Sequence, residues 1–324
     1  MGDALDRAVL FAGLSAEALD ELRQMATPFA IRAGEVLFRQ GDPPRGLFVV
    51  ATGLLEIAAR MPGDEEAQVS RIAPGEVVGE FALLDPGPRS ARVSAVEDSA
   101  GLFVPARSFI AMLDEGRAGS VEAVDRLRTL VAARTRATIE RLAAEAVTES
   151  SELRAAPLPG DMAPIALDIE MLRVLGRFAA FDDVAGAAFL AQGVGLAVSR
   201  GTPLPPDEGA WLVVRGAVRA AFDRGERQEQ VTIHGPGEWA GLVAVIDGGA
   251  QRLVLSVAED ALLLRVSAER FAAWRTAPGP VELAVLAGVD RQLVRDQRRA
   301  TRHLGRALAL AAFNAVGRQA GSAA

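Results

Sequence analysis

The sequence contains no cysteine, which excludes disulfides, thiolate catalysis and thiolate-bound metals. Lysine is missing as well: all 35 basic residues are arginine, so neither a Schiff base nor a phosphate-loop lysine is available. There is no tyrosine, and His234 and His303 are the only imidazoles. A GC-rich coding sequence accounts for the loss of lysine and tyrosine codons without any functional cause. No run approaches the ~18 apolar residues of a membrane span. The start, Met1-Gly2-Asp3-Ala4-Leu5-Asp6, carries acid where a secretory leader carries basic residues. The expected location is therefore cytoplasmic, with no membrane span. What is present suits a folded protein: 324 residues, 50% hydrophobic and 24% charged, enough for two domains of about 150 residues. The net charge of −7 argues against general nucleic-acid binding.

The chain repeats itself at an offset of 162 residues. Pro74-Gly75-Glu76 returns as Pro236-Gly237-Glu238, Gly79 as Gly241 and Asp85 as Asp247. Ser94-Ala95-Val96-Glu97-Asp98 returns as Ser256-Val257-Ala258-Glu259-Asp260. A repeat this long implies two copies of one domain, because solenoid units run to only ~20–50 residues.

In the first copy Ser15 is placed to cap a short helix with Glu17 in its first turn. Short β-type runs follow at 29–32, 36–39, 47–51, 54–59, 68–72, 91–96 and 102–105. Turn signals separate them: Ala33-Gly34, Gly41-Asp42-Pro43-Pro44, Gly53, Pro62-Gly63-Asp64 and Pro74-Gly75. A long helix is expected over about 120–146, and the second copy repeats the plan to a helix over about 281–316. Ala155-Ala156-Pro157-Leu158-Pro159-Gly160 has the composition of a linker. The expected fold is α+β: two tandem antiparallel β-rolls, jelly-roll-like, each flanked by helices and followed by a long C-terminal helix. The expected division is 1–118 for the first roll, 119–171 for helix and linker, 172–277 for the second roll and 278–324 for the last helix and tail.

The segment from Gly79-Glu80-Phe81-Ala82 to Arg89-Ser90-Ala91 carries the chemistry. A glycine, a helical turn and a Pro/Gly loop bring backbone N–H groups toward one point, where a small anion is favoured. Arg89 adds a planar fork suited to phosphate oxygens, and Glu80, which would repel a phosphate, suits a ribose hydroxyl. On these residues the segment resembles the phosphate-binding cassette of cyclic nucleotide-binding domains, as found in catabolite activators and protein kinase A regulatory subunits. Gly34, Gln40-Gly41-Asp42, Gly53 and the opening Leu10-Phe11-Ala12-Gly13-Leu14 extend the resemblance. It implies that Glu80 holds the ribose 2′-hydroxyl and Arg89 the cyclic phosphate. Gly79, Phe81, Ala82, Ser90 and Ala91 would line the cradle, and Thr138 would offer a hydroxyl to the base from the following helix. The implied ligand is cAMP or cGMP, with Ser90 after the arginine favouring cAMP. No metal and no catalysis are implied, only binding and signalling to an unknown protein partner.

The second copy departs from the pattern, since Leu242 stands for Glu80 and Gln251 for Arg89. Arg252 is adjacent, but alternation along a strand sends neighbours to opposite faces. Gly201 to Gly216 also spans 15 positions against 19 between Gly34 and Gly53. A cyclic nucleotide is not expected there. Two separated histidines likewise cannot supply the metal cluster of a cupin, the other β-roll family with this outline.

Val124, Leu127, Val131, Thr138 and Leu142 form a narrow seam on the first long helix; Leu286, Val289, Leu293, Ala300, Leu304 and Leu308 form one on the second. Their equal spacing allows pairing within one chain, as a monomeric pseudo-dimer, or between chains, as a homodimer. Arg291, Arg295, Arg298, Arg299, Arg302 and Arg306 outnumber Asp290 and Asp296 on the second helix, a solvated face or a dock for an acidic partner. The residues beyond that helix are too few for a helix-turn-helix, so sequence-specific DNA binding is not expected. The competing expectation is a ligand-free scaffold, or a relative of transcription regulators without their DNA-binding domain.

Overall fold

The computed structural model describes residues 3–60, 66–85, 87–145, 152–153, 161–206, 208–225 and 227–322. The expected linker at Ala155–Gly160 and the turn at Pro62-Gly63-Asp64 lie outside the described residues. The chain divides into two compact units, Met1–Leu130 and Val131–Ala324.

The first unit opens with helices α1 (Asp3–Arg7) and α2 (Ala16–Met25). Ser15 caps α2 as expected, its hydroxyl accepting from the Ala18 N–H. Eight strands follow: β1 (Thr27–Ile31), β2 (Val36–Phe38), β3 (Gly46–Thr52), β4 (Leu55–Arg60), β5 (Glu66–Ile72), β6 (Val77–Val78), β7 (Arg92–Ala95) and β8 (Ser99–Pro105). They form two four-stranded antiparallel sheets, ordered β1-β8-β3-β6 and β2-β7-β4-β5. Alternation along them turns Val50, Leu55, Ile72, Val78, Val93 and Ala95 into one core, against which Phe38 and Phe48 pack. Between β6 and β7 lies the one-turn helix α3 (Phe81–Leu84). Helix α4 (Ala106–Asp114) follows β8, and α5 (Ala118–Glu145) begins in this unit. Gly53 must be glycine: its φ is +84°, and a Cβ there would lie 2.4 Å from the Asp98 carbonyl oxygen.

The second unit takes in α5 from Val131 onward. Its further helices are α6 (Ile169–Arg173), α7 (Asp183–Leu190), α8 (Leu242–Asp247), α9 (Ala268–Thr276) and α10 (Pro280–Ser322). Its strands are β9 (Glu152–Leu153), β10 (Met162–Pro164), β11 (Val194–Val198), β12 (Pro203–Leu204), β13 (Ala210–Asp223), β14 (Arg227–His234), β15 (Trp239–Ala240) and β16 (Val254–Val266). Here the sheet is continuous, β10-β11-β16-β13-β14-β9, with β12 on β16 and β15 on β13. The paired β13 and β16 are long enough to serve both layers of the roll, and register shifts at Val213/Arg215 and Arg215/Ala217 bend them. Ile139 and Leu142 of α5 share one core with Leu255 and Leu263 of β16 and with Ala300, Leu304 and Ala307 of α10. The Gln297 amide N–H donates to the Thr138 hydroxyl at 3.3 Å. Within this unit α5 and α10 therefore belong to one core. Ile139, absent from the expected seam, is part of it.

Buried Gln292 fastens α10 to β15: its side-chain oxygen accepts the Trp239 N–H at 2.8 Å, and its amide N–H donates to the Trp239 carbonyl at 2.7 Å. Next to it Glu238 faces Arg295 at 2.8 Å, Arg299 at 3.8 Å and His234 at 3.7 Å. Burial alone would raise the Glu238 carboxyl, but the neighbouring His234 and the charges of Arg295 and Arg299 bring its pKa down to about 2. A carboxyl depressed in the folded state stabilises the fold above its unfolded pKa, ordinarily near 4.5, and that contribution is lost as pH falls toward about 2. Glu238→Gln is expected to flatten the stability of the second unit across that acid window. Urea melts followed by tryptophan fluorescence at stepped pH would read the change in slope, because all three tryptophans, Trp211, Trp239 and Trp274, lie in this unit.

Candidate functional site

The cradle of the first unit is assembled by two backbone turns. At Gly79 φ is +82°, which lets the chain leave β6 and enter α3 with Glu80 at the helix start. The second turn is Gln40-Gly41-Asp42, where Gly41 has φ +89° and the Asp42 carboxylate accepts the Arg39 N–H at 2.7 Å. It grips the backbone of Arg89 from both sides: the Arg89 N–H donates to the Asp42 carbonyl, and the Gly41 N–H donates to the Arg89 carbonyl, each at 2.9 Å. Two motifs separated by some 47 residues thus meet at Arg89, which gives the Gln40-Gly41-Asp42 turn its structural role.

The Arg89 side chain then folds inward. Its guanidinium lies 4.2 Å from the centre of the Phe38 ring and donates to the Gly79 carbonyl at 3.0 Å and the Gly46 carbonyl at 2.6 Å. A Cβ at position 79 would stand 2.5 Å from the Arg89 Nη1, so Gly79 is required for this arrangement as well as for its φ. Arg89 is 7% exposed and its Nε has no hydrogen-bond partner. Burial lowers its pKa, opposed by the charges of Glu80 and Asp42. A desolvated guanidinium with one donor unused is costly unless an anion completes it. Glu80 is also buried, at 6% exposure, and close enough for its charge to act on Arg89. A buried cation and a buried carboxylate on one cradle match a ligand that is anionic at one end and rich in hydroxyls at the other.

Of the sequence-derived site residues, Gly79, Glu80, Phe81, Ala82, Arg89, Ser90 and Ala91 occupy this one segment, with Ala82 buried and Ser90 exposed. Thr138 lies in the second unit, its hydroxyl donating to the Arg134 carbonyl at 2.8 Å and accepting from Gln297. Phe38 and the carbonyl of Gly46 escaped the sequence reading: neither lies in the cassette, and a carbonyl leaves no trace in residue type.

The corresponding segment of the second unit is closed by its own chain. Gly241 and Gly248, both with positive φ, bracket α8, and Leu242 is buried where the first copy has its carboxylate. Into the loop after α8 reaches Arg136 of α5. Its Nε and Nη2 bind the Asp247 carboxylate at 2.5 and 2.6 Å, and its Nη1 donates to the Ala250 carbonyl at 2.5 Å. The pair is largely buried, with side-chain exposures of 16% and 7%. Arg252, the arginine nearest the lost anchor, pairs instead with Glu140 at 3.0 Å.

Residues 28–116 match the family model of the cyclic nucleotide-binding domain. A CRP-like cAMP-activated global transcriptional regulator of Mycobacterium tuberculosis is 28% identical over 98 residues, 30% of this chain and 44% of that protein. The cyclic AMP receptor protein of Thermus thermophilus is 34% identical over 104 residues, 32% of this chain and 48% of that protein. The solved regulatory domain of Toxoplasma gondii PKA with cAMP is similar over 87% of this chain and 92% of that one, at 17% identity and a TM-score of 0.33. The similarity to cyclic nucleotide-binding domains thus covers residues 28–116, within the first unit. It spans about half the length of the two curated relatives. Among the described residues, no helix is long and apolar enough to cross a membrane, and no group of three His, Asp or Glu side chains is placed to hold a metal ion.

Proposed function

We propose that this protein is a cyclic nucleotide sensor that binds one ligand in its first unit and passes the binding on to a protein partner without catalysis. The observation that carries the reading is Arg89, buried against the Gly79 and Gly46 carbonyls with its Nε unused, on the same cradle as buried Glu80. Arg89 takes the cyclic phosphate and Glu80 a ribose hydroxyl, while Gly79, Phe81, Ala82, Ser90 and Ala91 line the cradle. Cyclic AMP is the preferred ligand, a reading supported by Ser90 and by the cAMP named in both curated relatives. A ligand-free scaffold would have no use for a buried charge pair that costs folding energy. The signal leaves through α5, one continuous helix that starts in the first unit and contributes Arg136, Ile139 and Leu142 to the second. The two long helices pair within one chain, a reading supported by the core that Ile139 and Leu142 share with Ala300 and Leu304. We place the protein in the cytoplasm, with no role in reading DNA sequence.

The test is calorimetric titration with cAMP, cGMP and AMP. cAMP is expected to bind most tightly and AMP, whose open phosphate carries a second charge and lacks the ring, least. Equal affinity for all three would refute the cyclic phosphate as the group recognised.

A further inference from the structure

The second unit contains a cavity of about 80 Å³ between its sheet, α5 and α10, at the place where the degenerate cassette meets both helices. Its walls are chiefly apolar, with Ile139, Leu242, Leu253 and Leu255 among them. The cationic side chains on its rim already have carboxylate partners: Arg136 has Asp247, and Arg252 has Glu140. Leu242 and Gln251 replace the carboxylate and guanidinium of the first copy, so neither a phosphate nor a ribose finds its anchor.

One end of this cavity is polar and unfinished. Asp296 and Arg299 both line it, and their Oδ1 and Nη1 form a buried ion pair at 3.5 Å in which neither atom has a hydrogen bond. The other Asp296 oxygen accepts from Gln292 at 3.2 Å, which fixes the carboxylate in place. The pair is too loose to be a hydrogen bond, and one group that accepts and donates at once would give both atoms the hydrogen bond they lack.

We propose that this cavity is a second ligand site, for a small uncharged molecule with a carboxamide or hydroxyl on a compact apolar body. The polar group accepts from Arg299 Nη1 and donates to Asp296 Oδ1, while the apolar body rests on the leucine and isoleucine wall. The site does not depend on cyclic nucleotide binding in the first unit.

Tryptophan fluorescence of the full chain reads this site selectively, because every tryptophan lies in the second unit and Trp239 borders the cavity. Isobutyramide is titrated against methyl isopropyl ketone, which has the same shape and the same acceptor but no donor. Isobutyramide is expected to give a saturable change and to bind about tenfold or more tightly than the ketone, the worth of a hydrogen bond to a charged group. Asp296→Ala should bring the two affinities together. Ala300→Leu, which fills the cavity from α10, should abolish both responses with the thermal transition retained. Equal affinity of the two probes for the wild-type chain would overturn the assignment. So would the absence of any saturable response to isobutyramide, which would leave water as the occupant.

Discussion

Arg89→Ala should weaken cyclic nucleotide binding by about 2 kcal/mol or more, at least about thirtyfold in Kd. The side chain is held before any ligand arrives: Gly79 and Gly46 carbonyls fix two of its nitrogens and Phe38 lies against its face. Binding therefore spends little on ordering it, and its removal takes away nearly the full charge-assisted contact. Arg89→Lys is expected to recover little, because one ammonium cannot span two carbonyls and still present a second donor to a phosphate. Gln251→Ala, at the matching position of the second copy, should leave affinity unchanged. Titration calorimetry of the three variants is the measurement, and wild-type affinity in Arg89→Ala would remove Arg89 from the site.

Arg136→Ala should destabilise the second unit by about 3 kcal/mol, a fall in Tm of about 6–12 °C. The size follows from burial. Asp247 is 7% exposed, and without Arg136 its carboxylate keeps only the Gly249 N–H at 3.0 Å, while the Ala250 carbonyl loses its donor. Arg252→Ala is the contrasting case. Its partner Glu140 and its own side chain are 43% and 59% exposed, so water replaces the contact and the cost stays within about 1 kcal/mol. Differential scanning calorimetry or a fluorescence melt on the tryptophans distinguishes the two. Equal and small effects would mean that the loop after α8 holds its shape without α5.

Much of the fold was legible because its punctuation is local. Gly34, Gly41, Gly53, Gly75 and Gly79 all adopt positive φ, so turns between strands announced themselves by residue type. The Ser15 cap and both long helices were readable for the same reason. What escaped had no local signature. Val77–Val78 is too short to show alternation, and α4 follows Pro105 with no side-chain cap. The cradle was legible as a segment, since its residues are contiguous and ordered. The contacts that tune it were not: Gly46 meets Arg89 across 43 residues, and Arg136 meets Asp247 across 111. Sequence spacing says nothing of such pairs until the strands are paired. The copies also diverge more than the repeat suggests, because one builds two separate sheets and the other a single sheet on two long bent strands.

The most direct measurement of the central assignment is the stoichiometry of cAMP binding to the intact chain at saturating protein concentration. One site per chain, lost in Arg89→Ala and retained in Gln251→Ala, is the expected result. Two equivalent sites would place a nucleotide in the second unit despite Leu242 and Gln251, and no saturable site at all would contradict the reading of the first.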